Sequence, residues 1–308
     1  MRVEWPTLAL LGATYALWAI ATTAVPPALA VVLLAVAVAQ HSSLQHEALH
    51  GHPTRAPWLN ALLVGPALGL VVPYARFRDQ HLAHHRDAVL TDPYDDPETN
   101  YFDPAVWAGL PNWVRMVLGA NNTLLGRILL GPAIGIVIFL RGEWAGLRAG
   151  DRAVIRGWAW HVPAVAVVGL WLAWPGQMPL WAYGLGAYGG MSLLKIRTFL
   201  EHQAHARASA RTVIIEDRGP LALLFLNNNL HVVHHMHPDL PWYRLPAAYA
   251  ARRAHYLRRN GGYAYRSYAD VFRRHLLRAK DPVPHPLWPA GQADPARPTA
   301  TASDPAAG

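Results

Sequence analysis

The sequence predicts an all-α integral membrane fold with four transmembrane helices in two hairpins, two re-entrant or interfacial helices, and a cytoplasmic cap lined by histidines. Three observations predict it: the composition, the lengths of the apolar stretches and the distribution of arginine. Of 308 residues, 53% are hydrophobic and only 15% are charged, and the mean hydropathy is +0.11. This balance is typical of a membrane protein with substantial parts outside the bilayer.

Six apolar stretches divide the first two thirds of the chain. A helix that crosses a bilayer needs about 20 apolar residues, and the first, fifth and sixth stretches reach or approach that length. The second is shorter, but its helix can continue through polar residues as far as His50. The stretches are residues 8–25, 27–39, 58–72, 124–140, 154–174 and 180–200.

The connectors between these stretches predict the topology. Residues 24–27 and 174–179 carry no charge, whereas arginine surrounds the histidine-containing segments and fills the C-terminal third. Because loops rich in Lys and Arg stay in the cytoplasm, we expect both connectors outside and the histidines inside. Residues 58–72 and 124–140 then begin and end on the same side, and a Gly-Pro pair lies within each. We therefore predict re-entrant or interfacial helices there.

The remaining composition limits the domain organisation and the chemistry. Residues 1–280 are expected to form one membrane domain, and residues 281–308 a Pro/Ala-rich tail that is disordered. The net charge of +8 is typical of the positive-inside bias rather than of nucleic-acid binding. The absence of cysteine excludes disulfides, thiolate-bound zinc, iron–sulfur clusters and a cysteine nucleophile.

Ten histidines fall into four groups, each near the end of an apolar stretch. Residues three or four apart share a helix face, so each group directs two or three imidazoles the same way. Imidazole suits iron, zinc, copper and nickel, and these histidines exceed what one four-coordinate ion uses. They predict a site for two transition-metal ions. The groups are His46-Glu47-Ala48-Leu49-His50, His81-Leu82-Ala83-His84-His85, His202-Gln203-Ala204-His205 and His231-Val232-Val233-His234-His235.

The first group alone also fits a different class of enzyme. His46 and His50, with Glu47 as general base, match the pattern of a membrane zinc metalloprotease. Such a site needs only one further ligand, so the three other histidine groups count against this alternative.

Taken together, the motifs HxxxH, HxxHH, a lone histidine after the last apolar stretch, and a second HxxHH resemble the integral-membrane fatty acid desaturase family. That family includes hydroxylases and carotenoid ketolases. Further stretches are similar to its bacterial branch, near carotenoid ketolases and rhizopine-type small-amine oxygenases. These stretches are Asp92-Pro93-x-x-Asp96-Pro97-Glu98, Phe199-Leu200-Glu201-His202 and His237-Pro238-x-x-Pro241-Trp242.

The resemblance implies a non-haem di-iron centre, dioxygen as co-substrate, and an external electron donor, either a ferredoxin or a cytochrome with its reductase. His205 is a possible further ligand. The pattern is incomplete at Thr198, where some desaturases have a water-binding asparagine. The ligands implied by the resemblance are His46, His50, His81, His84, His85, His202, His231, His234 and His235.

Six other polar residues are candidates to orient the ligands. A ligating imidazole usually donates its second N–H to a carboxylate or carbonyl group, and these residues lie close to the histidines in the sequence. They are Glu47, Asp79, Asp92, Asp96, Glu201 and Asn228.

The resemblance implies desaturation or hydroxylation of an unactivated C–H site, with a fatty acyl lipid in the bacterial inner membrane as the leading substrate. Ketolation or hydroxylation of a carotenoid and oxidation of a small amine remain alternatives. The basic residues 252–278 suit either an acidic electron donor or anionic lipid headgroups. We expect no nucleic-acid partner.

Overall fold

The computed structural model describes residues 3–85 and 89–288, and this part of the chain is predominantly helical. A small parallel pairing joins β1 (Ile214–Ile215) to β2 (Ala264–Tyr265). The nine helices up to residue 198 are α1 (Trp5–Thr23), α2 (Pro27–Leu49), α3 (Pro57–Leu63), α4 (Tyr74–His84), α5 (Pro104–Gly109), α6 (Asn112–Asn121), α7 (Leu124–Arg148), α8 (Arg152–Ala173) and α9 (Leu180–Thr198). Those that follow are α10 (Pro220–Leu224), α11 (His231–Met236), α12 (Leu245–Ala251), α13 (Arg253–Arg259) and α14 (Tyr268–His275).

Four helices in the described chain are long and apolar enough to cross a membrane, and this agrees with the predicted all-α membrane fold. They are α1, α2, α7 and α8. The number matches the prediction, but the set of helices differs, because it includes the more apolar α7 in place of the predicted span α9. The contacts of these two helices explain the difference.

Helix α9 lies against α2 along a seam of glycines. A Cβ atom at Gly186 would lie 2.7 Å from Leu34 Cδ2, and one at Gly190 would lie 2.6 Å from Val38 Cβ. Contacts advance in the same direction along both helices, so α2 and α9 run parallel and at similar depth. These glycines lower the hydropathy of α9 but permit the close approach that buries it. The packing of α9 against α2 therefore favours the prediction that α9 spans the membrane.

Helix α7 is continuous through Pro132, with no break at the Gly131-Pro132 pair. Gly131 instead accommodates side chains, because a Cβ there would lie 3.0 Å from Arg127 Cδ and 3.3 Å from Lys195 Cγ. The first turn of α7 is hydrogen-bonded to the cap, from Leu125 N to the Leu276 carbonyl at 3.0 Å.

The last turns of α7 meet the beginning of α8. A Cβ at Gly146 would lie 2.8 Å from Val154 Cγ2, and the Trp158 indole N–H donates to Glu143 Oε2 at 3.0 Å. Glu143 also pairs with Arg76 of the histidine-bearing helix α4, at 2.9 Å. Both ends of α7 thus lie towards the end of the bundle that carries His46 and His50, here called the histidine end. This arrangement favours the predicted in-plane position over a span.

Residues 64–73 enter the bundle and return to the histidine end. Ala67 N donates to the Ala164 carbonyl at 3.2 Å, and His161 Nε2 lies 2.8 Å from the Leu70 carbonyl. The Tyr183 hydroxyl donates to the Leu68 carbonyl at 3.0 Å. These partners lie within α8 and α9, away from their ends at the histidines, and the path is that of the predicted re-entrant segment.

The cap begins after α4 and includes the chain beyond α9. Residues 281–288 belong to it, because His285 N donates to the Phe102 carbonyl at 2.8 Å and Phe102 N to the Val283 carbonyl at 3.0 Å. These eight residues are the start of the predicted Pro/Ala-rich tail. Residues 289–308 lie outside the described part of the chain.

Candidate metal centre

Four segments bring the histidines together at the histidine end. Helix α2 supplies His46 in its last turn and His50 as its C-cap. Helix α4 supplies the second group, with His85 as its C-cap, and α11 supplies the fourth group. His202 comes from the segment after α9, where it bridges to Thr212. The continuous helical turns therefore set the direction of most of the imidazoles.

The nine predicted ligands form two sets. Within each set, one nitrogen from every imidazole lies within 4.8 Å of all the others. Each HxxHH group contributes to both sets, so the same short helices hold the two sites side by side. The five-histidine set is His46, His50, His81, His85 and His234, and the four-histidine set is His84, His202, His231 and His235.

The distances between imidazoles fit the edges of metal coordination polyhedra. His84 Nε2 is 2.8 Å from His202 Nε2, and His202 Nε2 is 3.1 Å from His231 Nε2. In the other set, His85 Nε2 is 3.2 Å from His234 Nε2. Metal–nitrogen bonds of about 2.1 Å place adjacent ligands about 3.0–3.4 Å apart.

Two nitrogens of the five-histidine set provide a separate test of the fit. His46 Nε2 and His50 Nε2 are buried and have no hydrogen-bond partner in the described chain. Buried polar atoms without partners are costly, and a metal ion bonded to both would remove that cost. An all-imidazole donor set suits iron as well as zinc and copper. The residues present therefore fit two transition-metal ions.

Polar side chains orient three of the ligands from the opposite ring nitrogen. Asp96 Oδ1 lies 2.7 Å from His84 Nδ1, and Glu98 Oε1 lies 2.9 Å from His81 Nδ1. Asn228 Oδ1 lies 3.1 Å from His231 Nδ1. Each oxygen is placed to accept an Nδ1 proton, the arrangement in which Nε2 of the ring binds a metal ion.

Glu201 lies beside this shell without a short bond to a ligand. Its Oε1 forms an ion pair with Arg197, 2.9 Å from Nε, and is 3.9 Å from His231 Nδ1. Asn228 Nδ2 donates to the same oxygen at 3.4 Å. Glu201 therefore acts on His231 chiefly through Asn228.

Left-handed backbone conformations shape two loops of the site. Thr91 has a φ of 69°, and its N–H donates to Asp96 Oδ2 at 2.8 Å. Leu226 and Asn227 have φ values of 52° and 56° shortly before α11. Such conformations are uncommon outside glycine and are maintained by surrounding structure. Here they set the entry to ligand-bearing segments.

The carboxylates and the dense group of imidazoles have opposite electrostatic effects. Burial lowers the pKa of His84, but Glu98 and Asp96 outweigh it and raise that pKa to about 9. Burial and the neighbouring imidazoles His84 and His235 hold the pKa of His202 well below its usual range. Neutral imidazole is the form that binds metal, and the shift at His202 favours that form.

Three of the predicted orienting residues contact other groups within the described chain. Glu47 Oε2 accepts the Trp242 backbone N–H at 3.1 Å. Asp79 accepts from Arg78 Nη2 at 2.7 Å, and Asp92 Oδ1 accepts from the Tyr94 N–H at 2.8 Å. Glu47 thus holds the backbone at residue 242. The metalloprotease alternative requires Glu47 as its general base, so this contact disfavours that alternative.

His205 lies outside both histidine sets. Its Nδ1 accepts the Arg207 backbone N–H at 3.0 Å, and this bond occupies one of its two ring nitrogens. The short helical pattern that relates His202 to His205 in sequence is not formed, because α9 ends at Thr198.

Sequence reasoning missed two residues of the site. Glu98 ends the quoted Asp-Pro-x-x-Asp-Pro-Glu motif, and its distance of two residues from Asp96 was the available signal. Lys280 donates to the His202 carbonyl, although 78 residues separate the two. No local pattern connects them.

A cavity of about 1340 Å³ reaches the four-histidine set at His202. It lies between α7, α9 and the chain on either side of α4. Apolar side chains of α7, including Ile134, Ile138 and Phe139, form one wall. Its volume exceeds the roughly 300–1,000 Å³ of common small-molecule pockets.

Comparison with known proteins agrees with this architecture. The sequence model for the fatty acid desaturase family matches residues 22–268. The chain is also 29% identical over 212 residues to a beta-carotene ketolase of Paracoccus sp. (strain PC1), covering 66% of this chain and 71% of the relative. A beta-carotene ketolase of Paracoccus sp. (strain N81106 / MBIC 01143) is 28% identical over 213 residues, with the same coverage.

The long apolar helices and the histidine clusters define an integral membrane oxidoreductase. The chain belongs to the fatty acid desaturase family. This confirms the resemblance carried by the histidine motifs and its bacterial branch near carotenoid ketolases.

Proposed function

We propose that the protein is a non-haem di-iron oxidoreductase that uses dioxygen to desaturate or hydroxylate an unactivated C–H site of a membrane substrate. The two adjoining sets of five and four imidazoles carry this proposal. When bound, the irons would supply the reduction of dioxygen and the oxidising power needed to remove hydrogen from carbon.

The nine histidines would hold the two irons, and the chain's other residues have separate tasks. Asp96, Glu98 and Asn228 hold the Nδ1 protons of His84, His81 and His231. They thereby fix the orientation of these rings before metal binds. The cavity brings substrate to the edge of the four-histidine set, and its apolar α7 wall excludes water from the hydrocarbon part.

A fatty acyl chain is the leading substrate, because the apolar wall and the cavity volume suit a long hydrocarbon. Ketolation or hydroxylation of a carotenoid is the second candidate, favoured by the names of the two Paracoccus relatives. Oxidation of a small amine receives less support, because the cavity is far larger than such a molecule.

We further infer that the histidine end faces the cytoplasm of a bacterial cell and that the protein lies in the inner membrane. The arginine-rich segments beside the histidines support this orientation. An external ferredoxin, or a cytochrome with its reductase, would deliver electrons from that side. The exposed basic residues of α13 and α14, including Arg258, Arg273 and Arg274, suit an acidic partner.

Metal analysis tests the centre. The purified protein is expected to contain two irons per chain and to show no haem Soret absorption. Two zinc ions at the same histidines would also be consistent, because purification can exchange one metal for the other. A single zinc, together with peptide cleavage that Glu47→Ala abolishes, would contradict the proposal in favour of a metalloprotease.

Profiling of lipids and pigments tests the reaction. A host that also makes carotenoids would express either the wild-type chain or His84→Ala. New double bonds or hydroxyl groups in acyl chains, present only with the wild type, would support the leading substrate. New keto or hydroxyl groups in carotenoids would select the second. No change in either class of molecule would contradict both.

A further inference from the structure

The cavity contains a lysine whose charge has no partner in the described chain. Lys195 lies in α9 and lines the cavity, yet no hydrogen bond or ion pair involves it within residues 3–85 and 89–288. Other cations on the same wall are engaged: Arg197 binds Glu201 at 2.9 Å, and Lys280 donates to the His202 carbonyl. Lys195 is therefore free to bind a ligand.

The nearest carboxylates do not neutralise Lys195 by direct contact. Glu98 and Glu201 act on it electrostatically, but neither forms an ion pair with it, and one oxygen of each is used by another group. Glu98 Oε1 contacts His81 at 2.9 Å, and Glu201 Oε1 contacts Arg197. Two arginines, Arg127 and Arg197, oppose them with positive charge near the same lysine.

Helix α7 is shaped to leave room for this side chain. A Cβ atom at Gly131 would lie 3.3 Å from Lys195 Cγ, and one at Gly135 would lie 3.4 Å from Lys195 Nζ. The lysine thus extends along α7 towards its apolar residues, Ile138 and Phe139. Its ammonium nitrogen lies beside Gly135 on the cavity wall.

Two further polar atoms near Lys195 lack partners. Asn121 Oδ1 and Thr198 Oγ1 are buried and without hydrogen bonds in the described chain, and both residues line the cavity. Asn121 Oδ1 lies 3.3 Å from the same Gly131 Cβ position as Lys195. Native proteins leave few buried polar atoms unsatisfied, so such a group beside a free cation indicates a site for a polar ligand.

From this arrangement we propose that the substrate carries an anionic group that enters the cavity and binds Lys195, with Thr198 and Asn121 as neighbouring hydrogen-bonding groups. The substrate is then an amphiphile with its charged end inside the protein, rather than a hydrocarbon that is apolar throughout. A carboxylate and a phosphate monoester share the required chemistry. Lys195 is the residue that selects for the charge.

The inference rests on the proposed oxygenase function, because the bound anion is a substrate only if the protein oxidises it. The test itself measures binding and does not require turnover. The full-length wild type, Lys195→Met and Lys195→Arg would be loaded with zinc in detergent micelles. Binding of radiolabelled stearate, stearoyl lysophosphatidic acid and β-carotene would be measured for each. Arg148→Met is the matched control, because Arg148 is exposed at the end of α7.

We expect wild type and Arg148→Met to bind at least one of the two anions, and Lys195→Met to bind it about tenfold or more weakly, as loss of a charge-assisted hydrogen bond predicts. Lys195→Arg should retain most of the affinity. The ratio of stearate to lysophosphatidic acid binding then identifies the carboxylate or the phosphate as the preferred group. Equal zinc content and melting temperature would show that the variants are folded.

Equal binding of both anions by wild type and Lys195→Met would overturn the inference, as would tight binding of β-carotene alone. Neither result would affect the proposed oxidation, which is tested by metal content and products. Conversely, anion binding that depends on Lys195 in a protein with no oxidation activity would contradict only the proposed function.

Discussion

Asp96 and His84 form a hydrogen bond of 2.7 Å between Oδ1 and Nδ1, and each side chain is only 1% exposed. The second carboxylate oxygen of Asp96 accepts the Thr91 N–H at 2.8 Å. Both oxygens are therefore fixed, and the His84 ring is held with Nε2 beside His202. The metal-binding direction of His84 is set before an ion arrives.

Replacement of Asp96 by asparagine should weaken one of the two metal sites. The variant retains the shape of the side chain but loses the charge that favours the Nδ1–H form of His84. Loss of such a partner typically costs 10–100-fold in metal affinity or activity. Titration of metal-free protein with cobalt would measure the affinity of each site. Asp95→Asn, on the cavity wall, is the control, and equal affinities in both variants would refute this role.

His202 and His205 form a matched pair for testing the ligand set. His202 belongs to the four-histidine set, whereas His205 Nδ1 is used by the Arg207 N–H. We expect His202→Ala to lose one of two metal ions and all activity, and His205→Ala to retain both ions. Metal analysis of the two purified variants is the measurement. Loss of an ion from His205→Ala would assign it to the site instead.

The histidine spacing predicted most of the centre because helical turns convert sequence distance directly into direction. His81, His84 and His85 needed only the geometry of one helix to be assigned to a two-metal site. The orienting groups were harder to predict, since Asp96 and Glu98 reach their histidines through a loop whose path depends on the left-handed Thr91. Lys280 meets His202 only through tertiary folding.

The membrane topology was also predictable in part, because apolar length and the charge of the connectors are read directly from the sequence. Apolar length indicated α1, α8 and α9, and α2 required continuation of its apolar stretch through polar residues. Parity on the two sides of the membrane predicted that residues 124–140 do not cross. Hydropathy alone favours α7 over α9 as a membrane span, because the glycines that allow α9 to pack against α2 lower the hydropathy of α9. Gly131 similarly accommodates Lys195 and does not end a helix. This contact depends on the packing of α7 against α9, so the local sequence around Gly131 does not predict it.

Cysteine labelling can decide whether α7 lies in the membrane plane. The chain contains no cysteine, so a variant with one introduced cysteine reports the membrane side of that position alone. One variant carries it at Arg115, before α7, and another at Arg148, at the end of α7. Both should react with an impermeant maleimide from the same side of sealed vesicles. Gln177→Cys, in the connector between α8 and α9, should react from the other side. Labelling of the positions flanking α7 from opposite sides would make α7 a span.

The glycine seam between α2 and α9 should be the most sensitive part of the membrane core to added volume. A Cβ at Gly190 would lie 2.6 Å from Val38 Cβ and 3.0 Å from the Ala35 carbonyl oxygen, and rigid neighbours on a parallel helix cannot move away cheaply. We expect Gly190→Ala to lower the free energy of unfolding by about 1–3 kcal/mol. Thermal unfolding in detergent would measure it.

Gly184→Ala provides the control for that loss on the same helix. A Cβ there meets nothing within 4 Å, so the substitution adds helix propensity without overpacking and should stabilise α9 by up to about 1 kcal/mol. The two variants are expected to change the melting temperature in opposite directions. Equal tolerance of alanine at both positions would mean that α2 and α9 are not in close contact. The four-histidine set would then need another means of holding His202 beside the ligands of α4, because α9 ends only four residues before it.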